Sequence, residues 1–164
     1  GFTKITMPGL RLAYLASPPR HATAVSNRHL VANWMATPPM TDLLSHWIED
    51  GTLMDLALWQ RRAMADRHVL AQAVLGAHMP SCHPNSLHLW LDLPLGWAEE
   101  SFVDQARRRG VAIAASHAFR TSDKAQRSAI RVALGSTHGE DLRRGLGILQ
   151  VMLAEEPEVL LPSI

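Results

Sequence analysis

The feature that most constrains the fold of this 164-residue chain is a long stretch, residues 53–78, in which helix breakers are nearly absent before Gly76 and Pro80. Its apolar residues recur near helical spacing: Leu53, Leu56, Ala57, Trp59, Ala63, Met64, Val69, Leu70, Ala73 and Val74. We therefore predict one long helix here, of the kind that can link two domains.

The chain after this helix predicts a small sheet with helices on it. Residues 86–93 alternate between apolar and other residues, which is typical of a strand with one buried face. Residues 98–109 predict an amphipathic helix that ends at Gly110, and residues 111–115 and 129–134 predict two further strands on either side of an irregular polar loop, residues 116–128. The spacing from Thr137 to Glu140 predicts a capping box that begins a last helix. The predicted inward residues are Leu87, Leu89, Leu91, Leu93, Phe102, Val103, Ala106, Leu142, Leu146, Leu149 and Leu153. This order of elements favours an α/β fold in which helices cover a small mixed sheet.

The chain before the long helix predicts one strand and two helices. Residues 10–16 have strand character and are stopped by Pro18 and Pro19, so we expect them to pair with strands outside this chain. Residues 21–35 are compatible with a helix that is broken before Pro38, and a second helix is predicted from Thr41 to Gly51. The apolar face of that second helix would contain Leu43, Leu44, Trp47 and Ile48.

Composition and charge exclude several classes of protein. A formal net charge of +1 gives no overall electrostatic reason to bind nucleic acid. Cys82 is the only cysteine, which excludes an internal disulfide framework. No run approaches the ~20 apolar residues that span a bilayer, and the N-terminus lacks the features of a signal peptide. We expect a cytoplasmic protein with no membrane partner.

The first residues of the chain carry the strongest candidates for chemistry. Lys4 precedes Arg11 by seven residues. An amine that can lose its proton forms an imine with an aldehyde, and a guanidinium holds a phosphate through paired hydrogen bonds. Taken alone, these residues favour a surface lysine beside a turn at Pro8 and Gly9, followed by a strand. His78 and His83 flank Cys82, but no second cluster completes a zinc site, so we predict no metal.

The chain resembles one family along nearly its whole length. Residues 1–14, G-F-T-K-I-T-M-P-G-L-R-L-A-Y, resemble the S/G-F-S/T-K…P-G-L-R-L-G-Y stretch of fold-type I aminotransferases. Residues 47–62 resemble the helix pair that leads into the small domain of that family, and residues 87–94, 110–119 and 130–136 resemble its strand segments in order. The stretches S-L-H-L-W-L-D-L-P and I-R-V-A-L-G are most similar to MocR-type regulators of the GntR family, in which an aminotransferase-like domain is joined to a DNA-binding helix-turn-helix.

The resemblance implies a role for four residues. Lys4 would be the catalytic lysine that forms an imine with pyridoxal 5'-phosphate, and Thr3 and Arg11 would bind the cofactor phosphate. Arg131 would bind the α-carboxylate of an amino-acid ligand. Gly1 departs from the Ser found in many relatives, which removes one phosphate ligand. The acidic and aromatic partners of the cofactor ring precede the lysine in this family, so we expect the chain alone to bind the cofactor weakly or not at all.

The resemblance also implies a domain organisation and a function. Residues 1–38 would be a remnant of the large cofactor-binding domain, and residues 39–164 the small C-terminal domain, so we expect a C-terminal fragment of a longer homodimeric protein. Its parent would be a regulator that senses an amino acid or amine through pyridoxal phosphate and binds DNA only through a separate helix-turn-helix. Two alternatives remain open: a true aminotransferase, and a small interaction module that keeps Lys4 and Arg11 as remnants.

Overall fold

The longest element of the computed structural model is a helix of 24 residues, as the uninterrupted stretch predicts. The structure describes residues 1–121, 127–135 and 137–155. The helices are α1 (Pro19–Asn33), α2 (Pro38–Glu49), α3 (Thr52–Leu75), α4 (Glu99–Arg108) and α5 (Gly139–Ala154). The strands are β1 (His88–Asp92), β2 (Ala114–Ala115) and β3 (Ala129–Ala133), and short 3-10 helices span Pro8–Leu10, Gly76–His78 and Ser116–Phe119. Within the described part of the chain, no helix combines the length and the apolar character needed to cross a membrane.

The chain forms two compact units, Gly1–Arg61 and Arg62–Ile164. Helix α3 contributes residues to both of them, in keeping with a helix that links two parts of a protein. The domain boundary predicted between residues 38 and 39 falls inside the first unit, and it stays a prediction.

The second unit is built around a three-stranded sheet in the order β1-β3-β2. Both pairings are antiparallel, so the sheet formed by the described residues is antiparallel where the sequence predicts a mixed one. In the central strand β3, Arg131 lies opposite Trp90 of β1 and Ala114 of β2. The predicted fold class is confirmed: helices cover a small sheet in the expected order.

Helical and strand periodicity predicted most of the core of the second unit. Leu89 and Leu91 alternate with exposed residues of β1, and the four predicted leucines of α5 are all buried. The buried apolar residues of this core are Ala71, Leu75, Leu89, Leu91, Trp97, Phe102, Ala106, Ile130, Val132, Leu134, Leu142, Leu146, Leu149, Met152 and Leu153. The Arg67 guanidinium donates to the Leu134 carbonyl, which ties α3 to the end of the sheet.

Two local predictions for the second unit are wrong. The strand predicted over residues 111–115 is reduced to the two residues of β2, because only Ala114 and Ala115 find partners on β3. The predicted capping box does not form: α5 has His138 at its N-cap position, and no side chain caps the helix. Residues 122–126 of the predicted polar loop and residue 136 of the third strand segment lie outside the described residues.

The first unit has a small core of its own. Leu10 and Leu12 pack with Leu44 of α2, and partly buried residues surround them: Phe2, Met40, Leu43, Trp47 and Leu53. Helix α2 begins at Pro38, three residues before the predicted start, because the fixed φ of proline suits the first turn of a helix. Ile48, which belongs to the predicted apolar face of this helix, is 46% exposed.

The strand predicted over residues 10–16 is absent from the described structure. Arg11 has φ +49° and ψ +32°, a left-handed conformation that interrupts an extended chain. Leu12 pairs with Phe2 through one hydrogen bond, but no described strand runs alongside residues 13–16. The apolar pattern of the segment instead serves the core of the first unit through Leu10 and Leu12.

The packing of α5 leads to a stability prediction. Leu149 is 0% exposed, so Leu149→Ala should lower the free energy of unfolding by about 2–5 kcal/mol through lost burial and the cavity left behind. Val151 on the same helix is 50% exposed, and Val151→Ala should change it by about 0.5 kcal/mol or less. Urea unfolding followed by circular dichroism measures both, and equal losses would contradict this packing of α5.

Candidate cofactor and ligand sites

Lys4 lies at the tip of a tight turn. The Phe2 carbonyl accepts hydrogen bonds from the backbone N–H groups of Ile5 and Thr6, both at 2.9 Å, and from the Thr6 hydroxyl at 3.0 Å. These three bonds hold residues 2–6 in a closed loop from which the Lys4 side chain is exposed. The turn therefore presents the amine and leaves it accessible.

Arg11 lies beside the start of the same turn. The Phe2 N–H donates to the Leu12 carbonyl at 3.0 Å, and a Cβ placed on Gly1 would lie 3.7 Å from the Ala13 Cβ. Residues 1 and 2 therefore run next to residues 12 and 13. The left-handed backbone of Arg11 is a sparsely populated conformation for a residue with a side chain, and such conformations cluster at ligand sites.

The donors of this segment match an aldehyde phosphate in their chemistry. The exposed Lys4 supplies an amine, the half-buried Thr3 a hydroxyl and the exposed Arg11 a guanidinium. Neither cation forms an ion pair with an acidic residue in the described parts of the chain. The described hydrogen bonds join none of Thr3, Lys4 and Arg11 to one another. The two segments that carry them pair through Phe2 and Leu12.

Arg131, the predicted carboxylate ligand, lies in the second unit and is half-buried. Its guanidinium carbon Cζ is 4.0 Å from the centre of the Phe119 ring, which is a cation–π contact. Phe119 in turn meets Trp90 edge to face, with their ring centres 5.5 Å apart. The Arg131 side chain therefore contacts an aromatic ring. An arginine that pointed only into solvent would make no such contact.

Glu99 is a buried carboxylate that the sequence did not single out. It is the first residue of α4 and lies 17–30 residues from its partners, so no local motif indicates them. Its oxygens accept hydrogen bonds from the Ser116 hydroxyl at 2.5 Å and from the backbone N–H groups of His117 at 2.9 Å and Ala129 at 3.1 Å. The Arg120 guanidinium donates at 3.1 Å, and the His117 ring lies at 3.2 Å.

The surroundings of Glu99 determine its charge. Burial raises the pKa of this carboxyl, but the hydrogen bonds from Ser116, His117 and Ala129 outweigh burial and lower the pKa from 4.5 to about 2. The carboxylate is consequently ionised at neutral pH. It joins the start of α4, the 3-10 helix Ser116–Phe119 and the start of β3.

The histidines do not form a cluster in the described residues. The buried His68 ring contacts the Ser86 carbonyl at 2.8 Å and the Cys82 sulfur at 3.7 Å, and His83 bonds the backbone N–H of Asn85. No group of three or more His, Cys, Asp or Glu residues is placed to hold a metal ion in the described ranges.

Sequence and structure comparisons point to one fold. No protein-family model matches the chain. It is 26% identical over 152 residues to the uncharacterized HTH-type transcriptional regulator YdeF of Bacillus subtilis. This alignment covers 92% of the chain and 33% of YdeF. It superposes with a TM-score of 0.84 on a kynurenine aminotransferase of Pyrococcus horikoshii, solved in complex with PMP, at 18% identity over 96% of the chain and 40% of the enzyme. The chain has the fold of part of a fold-type I aminotransferase.

A second aminotransferase agrees with this assignment. The multiple substrate aminotransferase of Thermococcus profundus superposes with a TM-score of 0.81 at 20% identity, over 94% of the chain and 39% of the enzyme. The aminotransferase-like chain thus spans about a third of its curated relative and about 40% of each enzyme. Its predicted resemblance to MocR-type regulators is confirmed, since a regulator is its sequence relative and aminotransferases are its structural neighbours.

Glu99 leads to a pH prediction for this aminotransferase-like chain. Glu99→Gln should lower the free energy of unfolding by about 1–3 kcal/mol at neutral pH, because its buried donors lose a charged acceptor. The folded pKa lies below the ordinary value, so the stabilisation is present above pH 4.5 and is lost as the pH falls from 4.5 through about 2.

The measurement is the difference in unfolding free energy between the wild-type chain and the variant, taken by urea titration from pH 7 to pH 3. That difference should shrink below pH 4.5. The control is Glu100→Gln, since Glu100 is exposed and contacts only the His117 ring among the described ion pairs. A difference that stays constant with pH, or one equal in both variants, would be evidence against the buried carboxylate.

Proposed function

We propose that this chain is the effector-binding, aminotransferase-like part of a MocR-type transcriptional regulator of the GntR family, which senses an amino acid or amine through pyridoxal 5'-phosphate. One observation carries the proposal: an aminotransferase fold in a chain whose curated sequence relative is an HTH-type regulator. DNA binding then belongs to a helix-turn-helix domain elsewhere in the protein, in agreement with the small net charge of this chain.

The cofactor roles belong to the N-terminal turn. Pyridoxal phosphate supplies an aldehyde that combines reversibly with amines. Lys4 offers its exposed amine at the tip of the turn, and Arg11 and Thr3 offer a guanidinium and a hydroxyl to the phosphate. A guanidinium suits this task better than an ammonium because its fork of N–H donors matches phosphate oxygens in pairs.

The ligand role belongs to Arg131. A carboxylate can take two parallel N–H···O bonds from one guanidinium, which fixes its orientation as well as its charge. The described ion pairs do not use Arg131, so its donors are available to an anion. Binding of an amino acid alters transcription only when the ligand has unequal affinity for two arrangements of the protein.

The proposal includes a homodimer. Helix α1 has no buried residue, and Val31 and Trp34 at its C-terminal end are 89% and 71% exposed. Exposed apolar side chains that lie together on one segment favour association with another protein surface.

An aminotransferase is the second candidate, favoured by the identity of the structural neighbours. Lys4 would then also move a proton between the substrate Cα and the cofactor as a general base. Steady turnover of an amino acid with a 2-oxo acid by the complete protein, in the absence of any effect on DNA binding, would favour this candidate over the regulator.

Lys4→Ala in the protein produced from its complete gene should abolish the visible absorption of lysine-bound pyridoxal phosphate, because no other amine is presented on the turn. Absorption spectra after dialysis with excess cofactor measure this. Lys124→Ala is the matched control, since Lys124 is the only other lysine in the chain, and it should keep the band. A band that persists in Lys4→Ala would contradict the role of Lys4.

The 164-residue chain by itself should bind pyridoxal phosphate weakly or not at all, because the family that it resembles takes the acidic and aromatic partners of the cofactor ring from residues before the lysine. Titration of the chain with the cofactor, followed by absorbance, tests this expectation. A tight band that disappears in Lys4→Ala would refute it.

A further inference from the structure

Arg131 has an aromatic side chain as its neighbour on one adjacent strand and a small side chain on the other. Across the sheet, Arg131 has Trp90 of β1 as one neighbour and Ala114 of β2 as the other. A residue opposite on an antiparallel neighbour projects from the same face of the sheet. After β2 the chain forms the 3-10 helix Ser116–Phe119, and the Phe119 ring lies against both Arg131 and Trp90.

Phe119 ends that 3-10 helix and covers Arg131. Its ring centre lies 4.0 Å from the guanidinium carbon and 5.5 Å from the ring centre of Trp90, in an edge-to-face contact at 86°. The two aromatic rings thus brace each other while one of them faces the cation. None of the ion pairs among the described residues uses Arg131, and its described side-chain contact is with the Phe119 ring.

The segment that carries Phe119 is itself held in place. Residues on both sides of the ring, Ser116, His117 and Arg120, all bond the buried Glu99 carboxylate. Three contacts within five residues, one from the His117 backbone N–H and two from the Ser116 and Arg120 side chains, limit the freedom of Phe119 to leave Arg131. The same carboxylate accepts from the Ala129 N–H, two residues before Arg131. The segment that carries the Phe119 ring and the strand that carries the Arg131 guanidinium therefore both bond the Glu99 carboxylate.

We propose that Phe119 is a positioning residue for Arg131: its ring holds the guanidinium in the orientation in which the N–H fork meets the ligand carboxylate. This inference rests on the proposed function, because it assumes that Arg131 binds a carboxylate. It adds a residue that contacts no ligand and acts through Arg131 alone. The ring matters here for its π face, so tyrosine can replace it and leucine cannot.

The first test measures the stack in the chain itself, by NMR of arginine side chains. The Arg131 side-chain protons should resonate upfield because of the Phe119 ring current. Phe119→Leu should remove this shift, Phe119→Tyr should keep it, and Arg144, which pairs with Asp141, should not move in either variant. Unfolding curves verify that both variants fold. An Arg131 signal that is unaffected by Phe119→Leu would overturn the proposal.

The second test measures ligand affinity in the complete protein loaded with pyridoxal phosphate. The probes are the twenty proteinogenic L-amino acids, and the tightest binder is then compared with its own carboxamide. Phe119→Leu should weaken the amino acid about two- to fivefold, as expected for loss of one cation–π contact, and leave the carboxamide unchanged. Phe119→Tyr should retain the affinity for the amino acid.

The variants distinguish a failure of the proposed role of Arg131 from a failure of the positioning role of Phe119. Arg131→Gln with unchanged affinity for the amino acid, or an absence of binding by every probe, would overturn the proposed role of Arg131 and this inference with it. Loss of affinity in Arg131→Gln together with unchanged affinity in Phe119→Leu would overturn the positioning role alone. Equal weakening of amino acid and carboxamide by Phe119→Leu would also overturn it, because a general loss of structure does not distinguish a carboxylate.

Discussion

The hydrogen bond from the Ala129 N–H to the buried Glu99 carboxylate fixes where the central strand begins. Side chains alternate along a strand, so a slip of one residue would turn Arg131 into the core and expose Ile130 and Val132. Ile130 is fully buried and lies opposite Leu91, whereas Arg131 lies opposite Trp90 on the other face. The contact that sets the register of β3 therefore also decides that a guanidinium faces away from the core.

A buried carboxylate is a costly way to set a register. Removing an ion from water costs several kcal/mol, on the order of the whole stability of a small domain, unless partners replace the water. Four donors offset that cost for Glu99: the Ser116 hydroxyl, the backbone N–H groups of His117 and Ala129, and the Arg120 guanidinium. Its place at the first turn of α4 adds the favourable end of the helix dipole. An apolar residue would pack as well, but it would leave these donors unpaired and the segment before β3 without a fixed path.

Periodicity predicted those parts of the fold that repeat, and it missed those that depend on distant partners. The alternation of Leu89 and Leu91 and the leucine spacing of α5 were enough to identify the core. The left-handed Arg11 was not predictable, since nothing in the letters R-L-A-Y distinguishes a kinked chain from a strand. For the candidate sites, Lys4, Thr3, Arg11 and Arg131 were predicted by resemblance, and their roles remain predictions. The contacts of Phe119 and Glu99 became visible only in the three-dimensional structure. Phe119 contacts a residue 12 positions away, and Glu99 contacts residues 17–30 positions away.

The fold is compatible with both candidate functions, because a fold does not specify what a bound ligand is used for. A sensor and a transaminase need the same binding groups: an amine for the aldehyde, a cation for the phosphate and a cation for the carboxylate. They differ in what must follow. An enzyme must stabilise the transition state of proton transfer more than the bound ligand, so any looseness at the reacting atoms costs rate. A regulator needs only a difference in ligand affinity between two states of the protein, and about 5.5 kcal/mol of difference is enough to reverse a 1:99 equilibrium. A cation that bound the ligand carboxylate in only one of these states would supply such a difference, whether or not a proton ever moves at Lys4.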